Sequence, residues 1–169
     1  MASIAHTPRP SYGAPPLEGL DGDEADCAKP VKGQQVRICL RRTGRPTQRL
    51  SGPAEVCAAL RGMSDLDRES FVALHLDTRN RIIGYEEIAR GHLSGVQVHP
   101  RELFKAAILA NAAAIICAHN HPSGDPTPSA EDRRITERLR RAAEVLGIPI
   151  LDHVVIGDPS FYSFADNGW

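Results

Sequence analysis

Ala113-Ala114-Ile115-Ile116-Cys117-Ala118-His119-Asn120-His121-Pro122-Ser123-Gly124-Asp125-Pro126-Thr127-Pro128-Ser129-Ala130-Glu131-Asp132 is the stretch on which the reading of this chain turns. Its apolar run, Ala113 to Ala118, is short and β-branched at its centre, which predicts a buried strand. The proline- and glycine-rich run over 122–128 is unsuited to regular structure, so a loop follows. Ser129-Ala130-Glu131-Asp132 has the form of a helix-capping box, with Asp where Glu or Gln is usual. The helix it starts carries Ile135, Leu139, Ala142 or Ala143, and Leu146 on one face.

Outward from that stretch the pattern continues. Pro100 opens a helix in which Phe104 and Ile108, and Leu103 and Ala107, fall four apart on one side. Phe71 to Leu76 reads as a strand that turns at Asp77-Thr78-Arg79-Asn80 into a second strand near Arg81 to Ile88. Before it, Ser51-Gly52-Pro53 starts a helix over Ala54 to Met63, and a first strand is expected at Val36 to Leu40. Strands at Ile150 to Ile156 and Phe161 to Phe164 close the chain. Strand, helix, hairpin, helix, strand, helix, strand, strand is the order of an α/β protein with one mixed β-sheet flanked by helices. Residues 1–34, with Pro8, Pro10, Pro15, Pro16, Pro30 and the acidic run Asp21-Gly22-Asp23-Glu24, lack apolar periodicity and read as a disordered N-terminal tail. Residues 35–169 form the expected domain.

The composition sets limits on function. With 169 residues, 41% hydrophobic and 24% charged, the chain fits one soluble domain. Its formal net charge of −1 offers no global attraction to phosphate backbones, and the basic runs Arg37 to Arg42 and Arg138 to Arg141 read as solvated faces, so nucleic acid is a disfavoured partner. No apolar run nears the ~20 residues of a membrane span and no signal pattern opens the chain, so no membrane partner and a cytoplasmic location are expected. Cys27, Cys39, Cys57 and Cys117 are scattered and read as thiols, with Cys117 in a core position.

The chemistry lies in the polar residues of the opening stretch. His119 and His121, two apart at the end of a strand, point to one side of the backbone and can share a metal ion. Asp132, in the first turn of the next helix, can supply a third ligand. Two imidazoles and a carboxylate leave a fourth tetrahedral position open, the mark of a catalytic zinc site, where the metal lowers the pKa of a water to about 7. Asn120 faces the opposite side of the strand and Asp125 is a turn residue. His75 reads as a packing residue, His92 and His99 lie in a linker, and His153, beside Asp152 in a late strand, is a candidate hydrogen-bond partner near the site.

In residue type and spacing, His119-x-His121-x7-Ser129-x2-Asp132 resembles the JAMM motif of the JAB/MPN metalloprotease domains. His119-Asn120-His121-Pro122-Ser123-Gly124, with Tyr85-Glu86-Glu87, His99-Pro100-Arg101-Glu102 and Leu151-Asp152-His153, resembles the bacterial RadC family within that superfamily. The resemblance implies the JAB/MPN (cytidine deaminase-like) fold, zinc as cofactor, and hydrolysis of peptide or isopeptide bonds. It also implies an upstream glutamate as general base, a place held here by Glu69, with Glu86 and Glu87 as rivals, and an oxyanion-stabilising role for Ser129. A protein or peptide is then the expected substrate, and a homodimer is compatible with it. Two other classes are a DNA-repair or nuclease-like factor and a non-catalytic MPN binding module. RadC-like proteins usually carry a helical DNA-binding-type region before this domain; the short N-terminal segment leads to the expectation that it is absent here.

Overall fold

The computed structural model of the protein describes residues 48–91 and 98–169. The expected tail, its boundary near residue 35, the strand at Val36 to Leu40, and His92 lie outside the described residues. Among those described, helix α1 is Pro53–Ala59, strand β1 Ser70–Leu76, β2 Ile82–Arg90, helix α2 Pro100–Leu109, β3 Ala114–Asn120, helix α3 Ala130–Leu146, β4 Ile150–Ile156 and β5 Phe161–Ser163. The helix expected over Ala54 to Met63 divides into α1 and a separate 3-10 turn, Arg61–Met63. At the break Leu60 donates its N–H to both Val56 and Cys57, and the tightened turn brings Leu60 and Met63 onto the sheet.

The five strands lie in the order β2-β1-β3-β4-β5, with β3 and β4 parallel and every other pair antiparallel. The architecture is therefore the expected α/β class with a mixed sheet. Alternation along the strands divides the core in two. Val72, Leu74 and Leu76, with Ala114, Ile116, Ala118, Val154 and Ile156, pack against Val56 and the turn residues Leu60 and Met63. On the other face, Phe71, Ala73, Ile115 and Cys117 meet Leu103, Phe104 and Ala107 of α2 and Leu139 and Ala143 of α3. Burial on both faces is why the central strands are apolar throughout rather than alternating. Each helix turns only a narrow stripe to the sheet. Ile108, 54% exposed, and Leu146, 46% exposed, fall at the rims of their stripes, whereas Thr136 is buried.

Two local features fix the two opposite ends of β1 and its neighbours. At the hairpin, Asp77 accepts from the Arg81 N–H, from the Arg81 guanidinium and from the Arg79 N–H, which together hold its carboxyl down to about 2. At the opposite end of β1, the chain leaving β3 folds back over the end of β4: His121 N–H donates to the Ile156 carbonyl at 2.9 Å and Asp158 N–H to the Gly124 carbonyl at 3.0 Å. The approach is so close that a Cβ on Gly157 would lie 2.3 Å from the Gly124 carbonyl oxygen and 2.9 Å from Pro126 Cδ. Gly157→Ala must push the loop off the strand. Overpacking of this kind costs ~1–3 kcal/mol, and urea unfolding is expected to show that loss; a variant as stable as the parent would mean the loop yields freely.

Candidate metal centre

His119 lies one residue before the end of β3 and His121 one residue after it, and α3 begins by returning Asp132 to the same place, at the carboxyl ends of the parallel strands where open α/β sheets bind ligands. One ligand atom from each of the three lies within 4.8 Å of the others. His119 Nε2 is 3.1 Å from His121 Nε2 and 3.3 Å from Asp132 Oδ1, and His121 Nε2 is 3.5 Å from Asp132 Oδ2. The side chain of His119 is buried, while those of His121 and Asp132 stay partly open to solvent.

Hydrogen bonds around the ligands set their protons. His121 donates Nδ1–H to the Asp125 carbonyl at 2.7 Å, so its Nε2 holds a lone pair. The Thr136 hydroxyl lies 2.6 Å from the Asp132 carbonyl and can only donate to it. Thr136 Oγ1 therefore accepts from His153 Nδ1–H at 2.6 Å, which leaves His153 Nε2 to accept from His119 Nδ1–H at 2.8 Å. His119 Nε2 is left with a lone pair as well. Two lone pairs facing each other at 3.1 Å, beside a carboxylate, repel unless a cation lies among them. A proton or a metal ion meets that need, and the donor set of two imidazoles and one carboxylate is that of an open zinc site.

The charges follow this arrangement. Burial pushes the Asp132 carboxyl up, but the hydrogen bonds that His119 and His121 donate when protonated, the field of His119 and a hydrogen bond from Ser129 outweigh it and hold it far below the usual carboxylate range. His121 is raised, first by its hydrogen bond to Asp132 against the opposing effect of burial, then by the Asp125 carbonyl and the fields of Asp132 and Glu69. Complete burial, with the fields of His119 and His121, drives His153 well below its ordinary value and keeps it neutral. The capping box is present: Ser129 Oγ accepts from Asp132 N–H at 3.1 Å, and Asp132 Oδ2 accepts from Ser129 N–H at 2.7 Å and from its hydroxyl at 2.6 Å.

Glu69 stands just before β1. Phe71 pairs with His119, their rings stacked at 6.0 Å, and Glu69 lies two residues before Phe71, near enough for its charge to help raise the pKa of the His121 imidazole. Asn120, between the two histidines and fully buried on the opposite face, fixes that placement. Its Oδ1 accepts from Ser70 N–H at 2.8 Å and its Nδ2 donates to the Arg68 carbonyl at 3.0 Å, gripping the backbone on both sides of Glu69. Glu86 and Glu87 belong to β2, across β1 from β3. Glu86 faces His75 at 3.8 Å, and Glu87 pairs with Arg90 at 3.1 Å. His75 is buried with neither ring nitrogen bonded among the described residues, His99 caps α2 by accepting from Arg101 N–H, and burial first, then Asp152, pushes the Cys117 thiol far up, as an inert core thiol requires. The Thr136–His153 link and the Asn120 clamp were not legible in the residues alone, because both depend on strand register; the one signal was a histidine next to an aspartate in an apolar strand.

The family model for RadC-like JAB domains matches residues 50–169. A UPF0758 protein of Desulforamulus reducens is 46% identical over 147 residues, which cover 82% of this chain and 65% of that protein. UPF0758 proteins of Geotalea uraniireducens (44% over 153 residues; 90% of this chain, 67% of that one) and Shouchella clausii (49% over 107 residues; 63% and 46%) are similar too. The chain thus spans about half to two thirds of the length of these relatives.

A protonated His121 beside Asp132 stabilises the fold below the unfolded imidazole pKa, and that contribution is lost as pH rises through the raised value. Metal binding needs the neutral ring, so its stabilisation runs the other way. Added zinc is expected to raise the melting temperature more at about pH 8 than at about pH 6, and His119→Ala or Asp132→Ala to abolish the shift. A zinc response that is absent, or independent of pH, counts against the site. Asn120→Leu strands the Ser70 N–H and the Arg68 carbonyl, and urea unfolding of the metal-free protein should show a loss of about 1–3 kcal/mol for each group left unpaired.

Proposed function

This chain belongs to the RadC-like JAB domain family, and from that premise we propose that it is a zinc-dependent hydrolase that cleaves an amide bond, peptide or isopeptide, in a protein substrate. The observation that carries the reading is the convergence of His119, His121 and Asp132 with both imidazole lone pairs turned inward. Zinc held there would supply Lewis acidity, making a water acidic and polarising a carbonyl.

The chain's own groups would do the rest. Glu69, held at its flanks by Asn120 and near enough to influence His121, would take a proton from a water at the centre and hand it to the leaving amine. Ser129 is the proposed donor to the oxyanion. Its single proton lies on Asp132 Oδ2 here, so that role requires the hydroxyl to turn away from the carboxylate, while its backbone N–H continues to hold Asp132. A nucleic-acid reading finds less support: in the α3 run, Arg140 and Arg141 pair with Glu137 and Arg134 with Glu131, which neutralises much of the basic face.

The test is a comparison of new protein termini and released isopeptide-linked products in cell extract exposed to the zinc-loaded chain or to its variants. Glu69→Gln should keep full zinc content and lose the ~10²–10⁴-fold that a general base contributes, whereas Glu86→Gln and Glu87→Gln should cleave as the parent does. No cleavage by the zinc-replete parent sinks the hydrolase reading. Loss confined to Glu86→Gln or Glu87→Gln places the base on the wrong strand. Ser129→Ala should lose about 1 kcal/mol through the cap and lose turnover as well; unchanged turnover reduces Ser129 to a cap.

A further inference from the structure

We propose that His153 and Thr136 are positioning residues for the metal: they dictate which nitrogen of His119 meets the ion and tie that ligand to the backbone of Asp132. This rests on the metal reading above and deepens it. The chain of bonds runs from His119 Nδ1 to His153 Nε2 at 2.8 Å, from His153 Nδ1 to Thr136 Oγ1 at 2.6 Å, and from the Thr136 hydroxyl to the Asp132 carbonyl at 2.6 Å. Each proton in it has one direction, because the last acceptor is a carbonyl that cannot donate. Two ligands of the centre, from different elements, are thereby joined through a path made entirely within the protein.

The ring at the middle of this path has no freedom to turn. Phe164 stacks on His153 at 5.0 Å and 4°, and Phe71 lies against it at 5.2 Å. Its backbone N–H donates at 2.7 Å to Asp152, whose carboxylate also accepts from Ser163 and from the Ala165 N–H. A fully buried imidazole is a costly way to fill space between two phenylalanines, and packing alone calls for an apolar side chain. Thr136 is likewise a weak helix former placed in the body of α3, with its hydroxyl turned back on the helix. Both polar choices are accounted for by the direction they impose on His119. The imidazole also differs from the carboxylate that commonly accepts from a ligating histidine: it adds no negative charge, so the ion keeps more of its Lewis acidity.

Zinc affinity, measured by competition with a chromophoric chelator, tests this without any substrate. Thr136→Val, which leaves every ring in place, and His153→Phe should each weaken zinc by about 10–100-fold, the usual cost of losing an outer partner. Thr136→Ser and His153→Gln should stay within a few-fold of the parent, since a hydroxyl, or an amide oxygen facing His119 Nδ1–H, restores the link. If His153→Phe does not fold, Thr136→Val carries the comparison. In the zinc-free parent, long-range ¹H–¹⁵N correlation of neutral rings should find the protons of His119 and His153 on Nδ1. Unchanged affinity in Thr136→Val with a lowered melting temperature makes the link merely structural and overturns the proposal, as does a proton on His119 Nε2. A parent chain that binds no zinc overturns the metal reading itself, and this one with it.

Discussion

Two imidazole nitrogens with inward lone pairs, 3.1 Å apart and flanked by a carboxylate, demand positive charge between them, and much of the structure serves to keep them there. Left to themselves, neutral rings would turn to share a proton, with one acting as donor and the other as acceptor. Here each ring is held by its outer nitrogen, His121 on the Asp125 carbonyl and His119 on His153. The repulsion is thus built in by bonds on the far sides of the rings, and it is relieved only by a cation.

The fold supplies the rigidity this needs. His119 lies on a strand with neighbours on both sides, and the strands beneath it are buried on both faces. The loop that brings His121 and Asp125 together is pressed against Gly157, where no larger residue fits. Asp132 faces a conflict of its own: the positive end of the α3 dipole favours a carboxylate in the first turn but disfavours a metal cation nearby. Its two oxygens answer both sides: Oδ2 accepts from the N–H and hydroxyl of Ser129 and lies 3.5 Å from His121 Nε2, while Oδ1 faces His119.

Asn120 shows how closely the two halves of the proposed machinery are connected. Its neighbours in sequence are both metal-ligand candidates, and its own side chain, directed to the other face of the sheet, grips the backbone around Glu69. Strand alternation lets three consecutive residues face the candidate metal centre, the neighbouring strand, and the candidate centre again. A shift of one residue in the β1/β3 register would turn Asn120 inward and both histidines away.

The sequence by itself determined most of the elements. The alternation and apolar runs, the hairpin signal at Asp77 to Asn80 and the capping box at Ser129 to Asp132 are local features, governed by backbone geometry and short-range hydrogen bonds. For the same reason the grouping of His119, His121 and Asp132 was legible: two of them share a strand face, and a short loop limits where the third can go. Helix rims were not legible, as Ile108 and Leu146 show, because periodicity gives the direction of a stripe and not where its packing partner stops. Only the tertiary structure decided that β4 lies parallel to β3 in the register that sets His153 behind His119, that Thr136 meets it from α3, and that Asn120 grips the backbone on both sides of Glu69. Those placements depend on pairing between segments far apart in the chain, where a change of one residue reverses the face of every side chain, and no local pattern carries that information.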